Sequence, residues 1–138
     1  MLEGVCMDIK QDQVSADELK RSLAAAGPFV AMVNTTRTPM VVTNPRLTDN
    51  PIVYANAAFI AMSGYAENEI VGQNCRFLQG EATDPASVAR LRTAIAANEE
   101  IEVDLLNYRK DRSSFWNRLL VSPVFEDGAV TFFVASQQ

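Results

Sequence analysis

The spacing of apolar residues changes near residue 40, and this change divides the chain into two parts. Residues 15–18 have the order of a helix-capping box, and apolar residues follow at helical intervals: Leu19, Leu23 and Ala26. The pair Gly27-Pro28 interrupts this helix, and residues 29–36 fit a second short helical turn. We therefore expect residues 1–38 to form a leader and a flanking helix that serves as a cap or a dimer element, and residues 39–138 to form the main domain.

The main domain opens with two short apolar runs and closes with a long stretch in which apolar and polar residues alternate. Residues 40–43 and 52–55 predict two short strands. Residues 101–110, 114–125 and 129–137 predict three longer strands that follow one another in a meander.

Capping residues predict two helices between these groups of strands. Asn56 precedes a short helix over residues 57–62, and Gly64 ends it. Asp84, followed at once by a proline, begins a longer helix that runs to about residue 98. This order of elements predicts an α+β domain, a five-stranded antiparallel sheet with short helices packed on one face.

Composition limits the classes of function open to the chain. The net charge of −5 and the scattered cations argue against a nucleic-acid partner, and no apolar run reaches the roughly 20 residues of a membrane span. The first ten residues lack the apolar core of a secretory signal, so a cytoplasmic location is the simplest interpretation. The absence of histidine excludes histidine-dependent nucleophiles and metal sites, and we expect Cys6 and Cys75 to be free thiols.

Three carboxamides stand at strand positions where the alternation calls for apolar side chains: Asn107, Asn117 and Gln137. A buried carboxamide without a partner costs about 1–3 kcal/mol, so this row indicates a bound ligand with a polar edge and an apolar body. Two alternatives stay open. The amides pair with one another or with the backbone, or bulges in the strands turn them outward.

Cys75 lies between two helical stretches, in a segment bounded by Gly72 and Gly80. A lone cysteine is most often a small buried apolar residue. The adjacent Asn74 and Arg76 are polar, however, which is unusual for a core position. From the residues alone, a structural cysteine and a reactive thiol both stay open.

The run Gly72-Gln-Asn-Cys-Arg-Phe-Leu-Gln-Gly80 closely resembles the signature of light-oxygen-voltage (LOV) domains, the flavin-binding photosensory branch of the PAS superfamily. The resemblance extends from about residue 40 to residue 137 and includes further segments in the same order: Asn44-Pro-Arg-Leu-Thr-Asp-Asn-Pro51, Ser63-Gly-Tyr65, Leu106-Asn-Tyr-Arg-Lys110 and Phe115-Trp-Asn117. It implies a PAS-like fold and a blue-light sensor that is not itself an enzyme.

The resemblance also implies a role for the cysteine and for each of the three carboxamides. Cys75 would add reversibly to the C4a atom of the light-excited flavin. Asn107 and Asn117 would bind the pyrimidine edge of the ring, and Gln137 would contact O4 and N5. Rotation of the Gln137 amide would then carry strain into the last strand.

Further residues are implied to hold the rest of the cofactor, which would be FMN, with FAD accepted if the entrance is open. Asn74 and Gln79 would bind the ribityl chain, and Arg76 and Arg92 would hold the phosphate. Apolar residues would line the ring pocket: Val41, Ile52, Leu105, Leu119, Val121 and Phe133.

The outward face of the predicted meander is also apolar, and its residues are Leu106, Trp116, Leu120, Phe132 and Val134. Such a patch predicts a covered surface, so we expect the flanking helix or a second copy of the chain to pack there, giving a homodimer. By resemblance, an effector, most simply a histidine kinase, would follow this sensor. Two other functions remain open: a PAS module that senses redox state or binds another ligand, and a dimerisation domain.

Overall fold

A computed structural model describes residues 14–138 of the chain, and the predicted leader and Cys6 lie outside the described residues. The helices are α1 (Ala16–Ala25), α2 (Gly27–Asn34), α3 (Ala57–Ser63), α4 (Glu67–Ile70), a 3-10 helix (Cys75–Leu78) and α5 (Pro85–Ala96). The strands are β1 (Met40–Thr43), β2 (Ile52–Ala55), β3 (Ile101–Tyr108), β4 (Ser114–Glu126) and β5 (Ala129–Gln137). In these described residues, no helix combines the length and the apolar character that crossing a bilayer requires.

The predicted flanking helix α1 starts at a complete capping box. Ser15 Oγ accepts a hydrogen bond from Glu18 N at 3.1 Å, and Glu18 Oε1 accepts one from Ser15 N at 3.2 Å. The second helix, α2, begins at Gly27, two residues earlier than the pattern predicts. Pro28 is compatible with the first turn of α2. Backbone N–H groups in a first turn have no partner within the helix, so the N–H that proline lacks costs no helical hydrogen bond.

The five strands form one antiparallel sheet in the order β2-β1-β5-β4-β3. The meander of the last three strands is confirmed, although β3 ends at Tyr108 and not at residue 110. The first strand pairs with the last, so that Met40 lies opposite Ser136. This pairing places the start of the domain beside its end.

Each face of the sheet has its own apolar core. On the inner face, helices α3 to α5 and the 3-10 helix pack against Val41, Ile52, Leu105, Leu119, Val121 and Phe133. On the outer face, Ala26, which lies between α1 and α2, and Val33 of α2 pack against β1, β2 and β5. The α+β prediction is therefore confirmed, with the flanking helices on the face opposite the other helices.

The outward apolar patch is covered unevenly. Phe132 is buried and Val134 half-buried in the outer core that the N-terminal helices complete, as a capping role predicts. Trp116, on β4, stays 69% exposed, while Leu106 and Leu120 are half-buried. The homodimer through this surface stays a prediction.

The loop after the 3-10 helix lies flush against β3, and Gly80 makes this approach possible. A Cβ at Gly80 would lie 2.4 Å from two ring carbons of Tyr108. The Tyr108 hydroxyl accepts a hydrogen bond from Ala82 N at 3.0 Å, and Thr83 Oγ1 donates to the carbonyl of Leu106 at 2.6 Å. The loop is thereby fixed to the strand that carries Asn107.

We expect Gly80→Ala to lower the free energy of unfolding by about 2 kcal/mol, because the tyrosine ring or the loop must move to admit a methyl group. Gly27→Ala is the matched control, since a Cβ there meets no atom within 4 Å. Urea denaturation measures both variants. Equal midpoints for the two would show that the contact with Tyr108 is not tight.

Candidate functional site

A cavity that opens to solvent lies between the inner face of β3 to β5, the 3-10 helix and α5. Most of its exposed wall surface is apolar, and eight apolar residues line it: Leu78, Leu91, Ile95, Leu105, Leu119, Val121, Phe133 and Ala135. Its polar lining comprises Thr43, Asn50, Asn74, Arg76, Gln79, Asn107, Asn117 and Gln137, and Cys75 also lines it. An apolar body with a few convergent polar groups is typical of a small-molecule site.

The three carboxamides meet at one side of this cavity. Asn107, Asn117 and Gln137 are only 3%, 1% and 3% exposed. Asn117 Nδ2 donates to Asn107 Oδ1 at 2.9 Å and to Gln137 Oε1 at 3.4 Å, and Gln137 Nε2 donates to the Ala135 carbonyl at 3.1 Å. The alternative that the amides pair with one another is thus confirmed, whereas the alternative that bulges in the strands turn them outward is wrong.

This pairing is incomplete, and the described residues around the cavity also hold other buried oxygens without a partner. Three buried side-chain oxygens have no hydrogen-bond partner among residues 14–138: Thr43 Oγ1, Asn50 Oδ1 and Asn117 Oδ1. All three residues line the cavity. Because each such oxygen costs about 1–3 kcal/mol, a ligand that carries N–H and O–H donors would be stabilised here.

Cys75 presents its thiol from the first position of the 3-10 helix. Asn74 caps this short helix, and its Oδ1 accepts a hydrogen bond from Arg76 N at 3.0 Å. Burial raises the pKa of the Cys75 thiol to about 12. The sulfur is therefore a neutral thiol at pH 7 and keeps its own proton beside the cavity.

The mouth of the cavity is charged. Asn74, Arg76 and Gln79 line the cavity and also a groove outside it, which Arg92 on α5 lines as well. Arg76 forms a bidentate ion pair with Asp49, in which Nη1 donates to Oδ1 at 3.0 Å and Nη2 donates to Oδ2. Arg92 therefore belongs to the entrance and not to the cavity itself.

Two of the predicted ring-pocket residues do not form the wall. Val41 and Ile52 are fully buried in the inner core, where Phe59 and Ile70 enclose them in the same cluster. The other predicted wall residues, Leu105, Leu119, Val121 and Phe133, do line the cavity.

Sequence reasoning missed several residues that line the cavity: Thr43, Asn50, Leu78, Leu91 and Ile95. Thr43 could have been found, because it has the same strand parity as Val41. Asn50 gave no such signal, since its position depends on a loop in which its φ is +48°.

Comparison with known proteins places the chain among sensory domains. The PAS domain family matches residues 37–138. A blue-light-activated histidine kinase of Brucella ovis is 52% identical over 114 residues, which is 82% of this chain and 23% of the relative. The homologous kinase of Brucella anthropi is 52% identical over 113 residues, 81% of this chain and 23% of that protein. The chain thus spans about a quarter of the length of these relatives.

The chain also resembles solved structures of light-oxygen-voltage domains. A light-oxygen-voltage domain studied with a flavin analogue superimposes with a TM-score of 0.76 at 41% identity, covering 80% of this chain and 83% of that one. The LOV domain of the Erythrobacter litoralis EL346 blue-light activated histidine kinase gives a TM-score of 0.71 at 43% identity, over 73% and 94% of the two chains.

Proposed function

The chain belongs to the light-oxygen-voltage branch of the PAS domain family, and from this we propose that it binds FMN and senses blue light through Cys75. The observation that carries the proposal is the set of three unpartnered oxygens, Thr43 Oγ1, Asn50 Oδ1 and Asn117 Oδ1, in residues that line a cavity with apolar surface on most of its wall. A flavin has the matching character, because its ring is apolar on both faces, its pyrimidine edge carries an N–H, and its ribityl chain carries hydroxyls.

The residues of the cavity divide between the parts of such a ligand. Asn107, Asn117 and Gln137 would bind the polar edge of the ring, with Asn117 Oδ1 free to accept from its N–H. The apolar wall would cover the ring faces. Asn50 and Thr43 are additional candidates for bonds to the ribityl hydroxyls or to the ring.

At the mouth, the arginines would meet the phosphate. Arg76 and Arg92 both line the groove outside the cavity, and Asn74 and Gln79 line the groove and the cavity alike. A guanidinium binds phosphate with two parallel hydrogen bonds. FAD is also a possible ligand, because the groove opens to solvent. The same arginines would then contact its first phosphate.

Bound flavin would supply the light-absorbing ring and the electrophilic position for a reversible bond to sulfur, and Cys75 would supply both the sulfur and the proton that leaves it. The chain's own part is to hold a protonated thiol, which the high pKa of Cys75 ensures at neutral pH. Gln137 offers both a carbonyl and an NH2, so that its side chain can bond to N5 before and after N5 is protonated.

Binding is tested by titrating flavin-free protein with FMN. We expect one FMN per chain, and we expect Asn117→Leu to weaken binding by roughly tenfold or more, because one hydrogen bond from a buried polar group is lost. Asn68→Leu is the matched control, since Asn68 is exposed on α4. Absence of FMN binding to the unaltered protein would refute the proposal, and equal binding by both variants would remove Asn117 from the site.

We also propose that the chain is the sensory part of a blue-light-activated histidine kinase that acts in the cytoplasm. Its relatives carry that activity in proteins of which this chain spans 23%. The chain contains no histidine, so the phosphate-accepting residue of such a kinase would have to lie in another segment.

A further inference from the structure

The mouth of the cavity contains a negative charge that no flavin contact requires. Asp49 lies in the loop between β1 and β2, where its φ is +66°, and its carboxylate receives two hydrogen bonds from Arg76. The pair holds the pKa of the Arg76 guanidinium above its usual value, because that charge is bonded to a carboxylate. Asp49 lines the same groove as Arg92.

The geometry of the pair limits how Arg76 can meet an anion. Both terminal nitrogens, Nη1 and Nη2, already donate to Asp49. An incoming phosphate must either displace the carboxylate from this fork or bind to another edge of the guanidinium, within a few ångströms of the same negative charge. In both cases the carboxylate opposes the phosphate, which carries a charge of about −1.5 to −2 at pH 7.

We infer that Asp49 is a specificity-determining residue, which lowers the affinity of the site for a flavin that ends in phosphate relative to the same flavin without it. The inference rests on the proposed function and concerns the mouth of that site. It gives the site a balance of charges: Arg76 and Arg92 favour the phosphate, while Asp49 offsets part of their attraction.

The hydrogen bonds that hold this loop do not involve the Asp49 carboxylate, so its charge can be removed without moving the loop. Asn74 Nδ2 donates to the backbone carbonyl of Asp49 at 2.7 Å, and Asn50 N donates to the Leu47 carbonyl at 3.1 Å. Neither bond uses the Asp49 side chain. Asparagine also tolerates a positive φ about as well as aspartate does, so Asp49→Asn removes the charge and leaves the loop in place.

The test compares two probes, FMN and riboflavin, which differ in a single phosphate. The ratio of the riboflavin Kd to the FMN Kd is measured for the unaltered protein, for Asp49→Asn and for Asp104→Asn. Asp104 is the matched control because it forms a similarly exposed ion pair with Arg118, at 3.0 Å on β3 and β4, away from the mouth. The two substitutions change the net charge equally.

We expect Asp49→Asn to raise this ratio about three- to tenfold at low ionic strength, with riboflavin affinity unchanged, and the gain to shrink as salt screens the charges. Asp104→Asn should leave the ratio unchanged. An equal ratio in all three proteins, or weaker FMN binding by Asp49→Asn, would overturn the inference while leaving flavin binding established. If neither probe binds any of the proteins, the proposed function itself fails.

Discussion

Replacement of Cys75 by alanine should leave flavin binding intact and abolish the reversible loss of visible absorption under blue light. The apolar wall and the amides form most of the cavity, and the Cys75 side chain contributes little of it. The cofactor should therefore stay bound. The light reaction, in contrast, needs a sulfur at this position. Absorption spectra before and after illumination measure the effect, which we expect to be complete.

The other cysteine provides the control. Cys6→Ser changes the same residue type at a distant sequence position, and its illuminated spectrum should match that of the unaltered protein. A redox-sensing PAS module would need the same cavity but no thiol in it. If Cys75→Ala and the unaltered protein respond identically to light, the photochemical role of Cys75 is wrong and redox sensing becomes the better account.

Gln137→Leu should retain the bleaching but lose the structural response to light. Gln137 ends β5, where its side chain donates to the Ala135 carbonyl and its backbone N–H donates to the carbonyl of Pro39 at 2.9 Å. Pro39 precedes β1, so we expect a movement of Gln137 to reach the N-terminal helices through this bond. Leucine cannot exchange donor for acceptor, so it should remove the cause of that movement.

Hydrogen exchange in the dark and under illumination measures this response in α1, α2 and β1. The light-minus-dark difference should fall to background in Gln137→Leu, while the illuminated absorption spectrum still bleaches. Gln138→Leu is the control, because the neighbouring Gln138 is exposed and its amide N–H pairs with Arg118 through the backbone. An undiminished difference in Gln137→Leu would exclude its amide as the source of the movement.

The parts of the site that follow from local periodicity were predictable. Strand parity placed Asn107, Asn117 and Gln137 on the inner face, and the structure buries all three there. Capping chemistry likewise located α1 and α5, because Ser15 and Asp84 accept hydrogen bonds from the first turns that they precede.

The parts that depend on contacts distant in sequence were not predictable. Nothing in the local pattern pairs β1 with β5, or brings Asp49 to Arg76 across 27 residues. Asn50 reaches the cavity only because its loop adopts positive φ values. Val41 has the parity of a wall residue, yet the packing of α3 and α4 assigns it to the core instead.

The most direct test of the account is the absorption spectrum of the unaltered protein, loaded with FMN, in the dark and under blue light. The account predicts a yellow protein whose visible absorption band is lost on illumination and recovers in the dark. A protein that stays colourless after FMN is supplied, or that keeps its visible band under bright blue light, would contradict it.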